Sequence, residues 1–289
     1  MLIDNAGWFS EVLAEQGCAF SLRTAAKLHE EQTPYQRIEI YATETFGNLM
    51  VIDGSIMLTA RENFLYHEMM SHPALFTHPA PRRVCIIGGG DCGTLQEVLK
   101  HAEVEQVTQV DIDERVTRLA EHYFPELTAS NGDPRARLLF DDGIAWVAKT
   151  EPDGLDLIIV DSTDPVGPAV GLFTRDFHAS CLRALAPGGI LIQQSESPLL
   201  HMDILRRLYR DMHGAGFADV KTLFFPQPVY PSGWWTATMA RKDQPIAGFR
   251  EEAAAQPGFA LRYYNAEVHR AALAQPEFFR RQIAATGQP

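Results

Sequence analysis

The chain has 289 residues, 46% of them hydrophobic and 21% charged, with a formal net charge of -12. That length allows one large α/β domain with an appendage or two modest domains, either with a sizeable core. The acidic balance argues against a nucleic-acid binder built on phosphate contacts and suits a small cationic substrate, and no run reaches the roughly 18 apolar residues of a membrane span.

Residues 1–60 read as a small N-terminal antiparallel β domain. Residues 36–42 alternate, residues 48–52 are apolar, and Asp53-Gly54 is a turn between two strands. Gly7, Trp8 and Phe9 either pin the chain end to the body or line a pocket, and pinning is the simpler reading. The start carries neither a basic stretch nor an apolar one of the kind that directs export. Cys18, Cys85, Cys92 and Cys181 form no C-x-x-C pair and no metal spacing. A cytoplasmic, reducing setting without a metal site is therefore expected.

From residue 61 to 289 the pattern changes to a Rossmann-like domain with a C-terminal extension. Phe64, Leu65, Glu68 and Met69 fall at helical spacing, with Tyr66 and His67 between them, so residues 61–72 predict a helix. Residues 83–87 are a buried strand that runs into Gly88-Gly89-Gly90-Asp91-Cys92-Gly93 and then a helix over 94–101. Strand, glycine turn and helix together make a nucleotide-type loop, and Gly88, Gly90 and Gly93 fit G-x-G-x-x-G literally. The next strand, 106–110, ends in Asp111 and Asp113, where an acid can hold ribose hydroxyls. An adenosine-containing ligand is expected; a nicotinamide dinucleotide and an S-adenosyl sulfonium compound both remain open.

A helix over about 114–123, a third strand at 137–140 ending in Asp141-Asp142-Gly143, and a helix over 144–149 follow. The fourth strand, 157–160, is short and β-branched and ends in Asp161 and Asp164, with Pro165, Gly167 and Pro168 forcing a loop. A helix near 174–185 leads through a Pro187-Gly188-Gly189 turn to a fifth strand at 190–193, then Glu196, then a helix over 199–212. Strands near 220–224 and 235–239 flank Tyr230, and the chain beyond residue 241 turns polar and ends in a last short helix. Alternating strands and helices, about seven strands in all, make a doubly wound α/β sheet. Asp91, Asp111, Asp142, Asp161 and Asp164 all follow predicted strands, on one edge of that sheet. Such convergence marks a site.

These residues resemble the spermidine synthase family of aminopropyltransferases. The resemblance is carried by Gly7 to Phe9, Tyr35-Gln36, Leu65-Tyr66-His67-Glu68, Ile86 to Asp91, Asp111-Ile112-Asp113, Asp142-Gly143, Asp161 to Pro168, Tyr230 to Gly233 and Tyr263 to His269, in family order over nearly the whole chain. It implies a methyltransferase-like Rossmann sheet behind a small β domain, and a dimer or tetramer. It also implies decarboxylated S-adenosylmethionine as co-substrate, with no tightly bound cofactor and no metal, and putrescine as acceptor, giving spermidine and methylthioadenosine. Asp161 is then the general base and Tyr66 its helper. Gln36, Gly88, Gly90, Asp91, Asp111, Asp142 and Gly143 bind the donor. Trp8, His67, Asp164, Glu196 and Tyr230 bind the acceptor. The chemistry fits independently: Asp91 repels a donor carboxylate and attracts the aminopropyl ammonium, and the attacking amine has to lose a proton.

The sequence departs from the family pattern in four places. Met57 stands where Gln is usual, Cys92 follows Asp91 where a small residue is usual, Asp111 replaces Glu, and Trp234 follows Pro-Ser-Gly. Met57 and Trp234 put the preferred amine in question more than the reaction. Three other readings compete. An N-methyltransferase on the same fold needs a group for the donor carboxylate. A nicotinamide dehydrogenase leaves Asp161 and Asp164 without a role. A silent polyamine-binding protein would bind amines without turnover.

Overall fold

The computed structural model describes residues 7–285. The N-terminal sheet is antiparallel in the order β1-β2-β3-β4-β5: β1 Trp8–Leu13, β2 Cys18–Gln32, β3 Arg37–Thr43, β4 Asn48–Ile52 and β5 Ser55–Thr59. Asp53 (φ 49°) and Gly54 (φ 89°) both take left-handed backbone between β4 and β5, as a two-residue turn of that hand requires. The strands β1 and β2 are absent from the sequence reading. β2 is long but polar, carrying Arg23, Lys27, Glu30 and Glu31 on a surface that is mostly open to solvent, so no apolar alternation marks it.

The second sheet has seven strands: β6 Arg83–Gly88, β7 Gln106–Asp111, β8 Ala136–Phe140, β9 Leu155–Asp161, β10 Leu185–Gln194, β11 Asp219–Pro226 and β12 Trp234–Arg241. Their order is β11-β12-β10-β9-β6-β7-β8. The five strands from β10 to β8 run parallel, and β12 is antiparallel to both β10 and β11. Both faces are buried. Ile86, Val107, Leu157 and Ile159 pack into one core, while Ile87, Val110, Ile158 and Val160 pack into another. That double burial is why the strands read as unbroken apolar runs.

Helices α1 Asn63–Thr77, α2 Gly93–Leu99, α3 Glu114–Tyr123, α4 Gly143–Lys149, α5 Arg175–Ala184 and α6 Met202–Ala215 cover or connect these strands. Several limits differ from the sequence reading. α1 continues past His72 through Pro73, and α6 starts at Met202 because residues 195–201 form a loop, buried over its first four residues, with Glu196 at φ 68°. β10 starts at Leu185, and its expected Pro-Gly-Gly turn survives as a register shift between Leu185 and Ile190. The C-terminal segment holds three helices rather than one: α7 Glu251–Ala255, α8 Ala266–Ala272 and α9 Glu277–Ala284.

Two devices set the site's walls. Ile38, Ile40, Met50 and Leu58 of the first sheet share a core with Val116, Leu119 and Phe124, and Asp113 accepts from both Thr33 (2.7 Å) and Gln36 (3.0 Å). On the other side, the buried Glu68 carboxylate accepts the backbone N–H groups of Arg262, Tyr263 and Tyr264 at 2.7–2.9 Å. Three donors on one carboxylate offset the cost of burying its charge. They tie the C-terminal segment to the helix that carries Tyr66 and His67.

Candidate active site

The chain runs β6, β7 and β8 towards one edge and then returns to place β9 on the other side of β6, so the topological switch lies between β6 and β9. Ligands of open α/β sheets bind outside the strand ends at such a point. Gly88 ends β6, Asp161 ends β9, and the two are paired in register. Gly88 has φ +80°, and a Cβ there would lie 2.1 Å from the Asp161 carbonyl oxygen. Only glycine fits that close approach. Gly93 has a different reason: its missing side chain makes room for the His67 ring, 2.1 Å from where a Cβ would sit.

A cavity of ≈ 160 Å³ opens over this edge, lined by Gly88 to Asp91, Asp111, Asp142, Gly143, Asp161 and Gln36. Met50, Ile52 and Met57 of the first sheet and Pro168, Ala169 and Leu172 after β9 supply apolar walls. A second cavity of ≈ 30 Å³ meets the first at Met57, Tyr66 and Tyr230 and is lined further by Glu11, Asp164, Gln194 and Trp235. Neither cavity is lined by a Lys or Arg among the described residues.

At the junction, both oxygens of Asp161 are engaged. Tyr66 donates its hydroxyl to Oδ1 (2.7 Å) and Thr94 donates to Oδ2 (2.6 Å). Burial pushes the Asp161 carboxyl above its ordinary value and nearby Asp91 adds to that, against the His67 charge and the two hydroxyl bonds. Burial likewise pushes the Tyr66 phenol well up, so it stays a donor. Tyr66, Tyr230 and Trp235 form an aromatic wall, with ring centroids 6.0 Å and 4.7 Å apart. The Tyr230 hydroxyl is held by the Met57 carbonyl at 2.5 Å.

Asp91 lies 3.2 Å from His67 Nε2 and accepts the Gly93 N–H at 2.7 Å. Burial works against its charge, but His67 and the Gly93 N–H outweigh burial and hold the carboxyl low. Reciprocally, Asp91 overcomes burial and holds His67 up. Asp111 accepts the Asp113 N–H at 2.8 Å, and burial pushes it up to about 7 against that bond. Asp142 spends one oxygen capping α4 through Ile144 and Ala145.

Around the second cavity three acids are raised. Glu11 goes to about 7 through burial, although its carboxylate accepts the Ile56 N–H at 2.9 Å. Asp164 goes to about 8 through burial and its neighbour Glu196, and Glu196 itself to about 7 through burial. Once ionised, such acids beside aromatic rings offer a cation both opposite charge and π faces.

The structure thus brings Asp91, Asp111, Asp142, Asp161, Gln36, Gly88, Gly90 and Gly143 to one cavity, with Tyr66 and Tyr230 at its junction with the second and Asp164 in the second. Three expected acceptor contacts sit elsewhere. His67 backs Asp91 and lines neither cavity. Glu196 lies behind Asp164, with Gln194 donating to it at 3.3 Å. Trp8 is half-buried at the start of β1, paired with Arg23, and lines neither cavity. Trp234 packs on Phe224 and Phe278, so it drops out as a selector of the amine; its neighbour Trp235 is the one that lines the channel. Thr94 and Glu11 escaped the sequence reading altogether.

Comparison with known proteins agrees with this geometry. Residues 63–249 match the model of the spermine/spermidine synthase domain, and residues 7–60 match that of the spermidine synthase tetramerisation domain. The polyamine aminopropyltransferase of Thioalkalivibrio sulfidiphilus is 63% identical over 284 residues, covering 98% of this chain and 99% of its own. That of Methylococcus capsulatus is 63% identical over 279 residues, covering 96% and 97%. A crystal structure of spermidine synthase in complex with the transition-state analogue AdoDATO superposes with a TM-score of 0.93 at 32% identity, covering 98% and 97%. Spermidine synthase from Thermotoga maritima gives 0.92, also at 32% identity, covering 98% and 96%. With both of its sheets matched by one family's models and an acid-lined cavity that both sheets help to wall, the chain belongs to the spermidine synthase family, the polyamine aminopropyltransferases.

Proposed function

We propose that this polyamine aminopropyltransferase moves the aminopropyl group of decarboxylated S-adenosylmethionine to putrescine, giving spermidine and methylthioadenosine. The observation that carries this reading is the sign of the site. Four aspartates line the donor cavity and two acids line the channel beyond it, with no Lys or Arg in either wall among the described residues. A donor with a free carboxylate would meet only like charge there. That disfavours an N-methyltransferase, and a dehydrogenase would leave the Tyr66–Asp161 pair idle.

In this reading Asp111, Asp142 and Gln36 hold the nucleoside, and the Gly88–Gly90 turn lets it approach the strand ends. Asp91, kept ionised by His67, takes the aminopropyl ammonium. The attacking amine sits at the cavity junction, where Asp161 accepts its proton and Tyr66 orients it. The amine nitrogen forms a bond to the aminopropyl carbon as the carbon–sulfur bond breaks, and sulfur leaves as a neutral thioether that needs no acid. Positioning for in-line displacement supplies most of the rest. The far ammonium of the diamine lies along Tyr230 and Trp235 towards Asp164, Glu11 and, behind them, Glu196. Residues 7–60 form the assembly surface of a homotetramer. No helix of the described residues is long and apolar enough to cross a membrane.

The test is a mass-spectrometric product assay with the donor and an amine panel of putrescine, cadaverine, 1,3-diaminopropane and agmatine. Spermidine plus methylthioadenosine, with putrescine the fastest, is the expected result. A folded protein that binds the donor and aminopropylates nothing would instead be a silent binder, and faster turnover of another diamine would trace to Met57.

A pH dependence follows from the channel acids. Glu11 and Glu196 sit at about 7 and Asp164 at about 8 before the amine binds. A dication prefers their ionised forms, so the putrescine Kd should fall between about pH 6 and about pH 9, with protons released on binding. Calorimetry in buffers of different ionisation enthalpy reads both quantities. A Kd indifferent to pH, with no proton release, would remove these acids from the acceptor site.

A further inference from the structure

Asp161 is held from two sides. Tyr66 on α1 donates to Oδ1 at 2.7 Å, and Thr94 in the first turn of α2 donates to Oδ2 at 2.6 Å. Among the described residues these hydroxyls are the only hydrogen-bond donors to the carboxylate. The two differ in place. Tyr66 lines both cavities, whereas Thr94 is fully buried and lines neither. Tyr66 thus reaches the carboxylate from the cavity junction, and Thr94 reaches it from within the protein. The helices that carry them are joined further along. His72 of α1 bonds Glu97 of α2 at 3.0 Å and His101, beyond the end of α2, at 2.9 Å, and all three are buried. Ser71 also reaches the Thr94 carbonyl at 3.5 Å. The two donors are thereby fixed relative to each other. The χ2 torsion of an aspartate sits in a broad well, so one bond leaves the carboxylate free to turn, and bonds on opposite oxygens fix its plane.

We propose that Thr94 is a positioning residue of the transfer reaction: its hydroxyl fixes the plane of the Asp161 carboxylate and holds its charge, so that the base meets the amine ionised and in one orientation. The inference rests on Asp161 acting as the base in the reading above. Thr94 does not touch the substrate, and it keeps its own proton while the amine's proton passes to Asp161. Its bond length falls in the range of a hydroxyl donated to an ionised oxygen, roughly 2.5–2.7 Å. Such a bond is needed because the surroundings oppose the charge. The titratable groups facing Asp161 are Asp91 and His67, which pair with each other, Asp111, and the phenols of Tyr66 and Tyr230. Burial and Asp91 push the Asp161 carboxyl up, while His67 and the Thr94 and Tyr66 hydroxyls pull it down. A carboxyl that is already protonated takes no proton from an amine. Tyr66 shares its side of the carboxylate with the arriving amine, and Thr94 does not.

The experiment measures the single-turnover rate against pH for the wild type, Thr94→Val and Thr94→Ser. Donor and putrescine are saturating, which keeps the pH dependence of amine binding out of the rate. Valine keeps the outline of the side chain and removes the hydroxyl, whereas serine keeps the hydroxyl. Losing a hydrogen bond to a charged group should move the acid limb of Thr94→Val up by about one to two pH units. Below the new limb its rate should fall about tenfold for each unit moved, and above it the rate should come within about threefold of wild type. The donor Kd should stay within about twofold, and Thr94→Ser should bring the limb back to within about half a unit of its wild-type position. Melting curves show that each variant is folded; should Thr94→Val not fold, Thr94→Ala against Thr94→Ser makes the same comparison. A limb that stays at its wild-type pH in Thr94→Val overturns the inference. So does a loss equal at every pH, which is what a merely structural threonine would give. Both results leave the aminopropyl transfer standing. A wild type that forms no aminopropyl product from any amine removes that transfer, and the inference with it.

Discussion

Asp161→Asn is expected to lower kcat by about 10²–10⁴ while leaving the donor Kd within about threefold. The two side chains are the same size, and asparagine keeps an oxygen for the Tyr66 hydroxyl, while the Thr94 hydroxyl can turn to accept from the amide. What disappears is the carboxylate that the Tyr66 hydroxyl holds at the cavity junction and that burial makes more basic. The variant should also be more stable than the wild type at neutral pH. Burial and Asp91 push the Asp161 carboxyl up, so the folded state holds its proton more tightly than the unfolded chain does. Ionising it therefore costs stability as pH rises from about 3.9, the unfolded value, through the raised folded value. The neutral amide of the variant does not bear that cost, so its advantage is absent at low pH and full above the folded value. Single-turnover kinetics, donor titration and Tm against pH measure all three. A variant that turned over within about fivefold of wild type would take Asp161 out of the base role.

Gly88→Ala should be the most damaging small substitution in the sheet. A methyl group at Gly88 would sit 2.1 Å from the Asp161 carbonyl oxygen and 3.0 Å from its carbon, on backbone with φ +80°. Neither obstacle is a side chain that can swing away: both atoms belong to β9, whose carbonyl also accepts the Gly89 N–H at 2.7 Å. Relief requires β6 and β9 to part where they meet in register, which displaces Asp161. Strain of this kind costs roughly 3 kcal/mol or more, a fall of roughly 6 °C or more in Tm for a chain this size. The folded fraction should turn over slowly as well, since the base has moved. Gly132→Ala is the control: its Cβ would meet nothing within 4 Å and its φ is not in the left-handed range. If Gly88→Ala melted like Gly132→Ala and kept full activity, the close approach of β6 and β9 would be irrelevant to the site.

The contrast between Trp234 and Trp235 shows where reading the sequence stops. The two lie side by side, and the departure from the family pattern is at Trp234. Successive residues of a strand face opposite sides of the sheet. Register alone therefore sends Trp234 to Phe224 and Phe278 and Trp235 to the channel. His67 is similar. Its place beside Tyr66 suggests a shared task, but the helix turns it towards Gly93 and Asp91.

By itself the sequence determined the seven-stranded, mostly parallel sheet and the acid edge. Buried parallel strands must be continuous apolar runs, and the acids that end them need no distant partner to be recognised as a set. It also determined the Gly88 turn, because the strand before it and the helix after it are local. Only the tertiary structure decided what depends on contacts between distant segments. Glu11 carries no signal in the sequence until β1, paired with β2, carries it to Asp164, and β2 itself is hidden because its surface is polar. Thr94 reads as an ordinary first-turn residue until α2 sets it 2.6 Å from Asp161. Glu68 counts only as one helical position until the backbone of Arg262 to Tyr264 returns to fold around it. The reaction is written in short local motifs, whereas the shape and reach of the amine channel come from long-range packing, which no local pattern encodes.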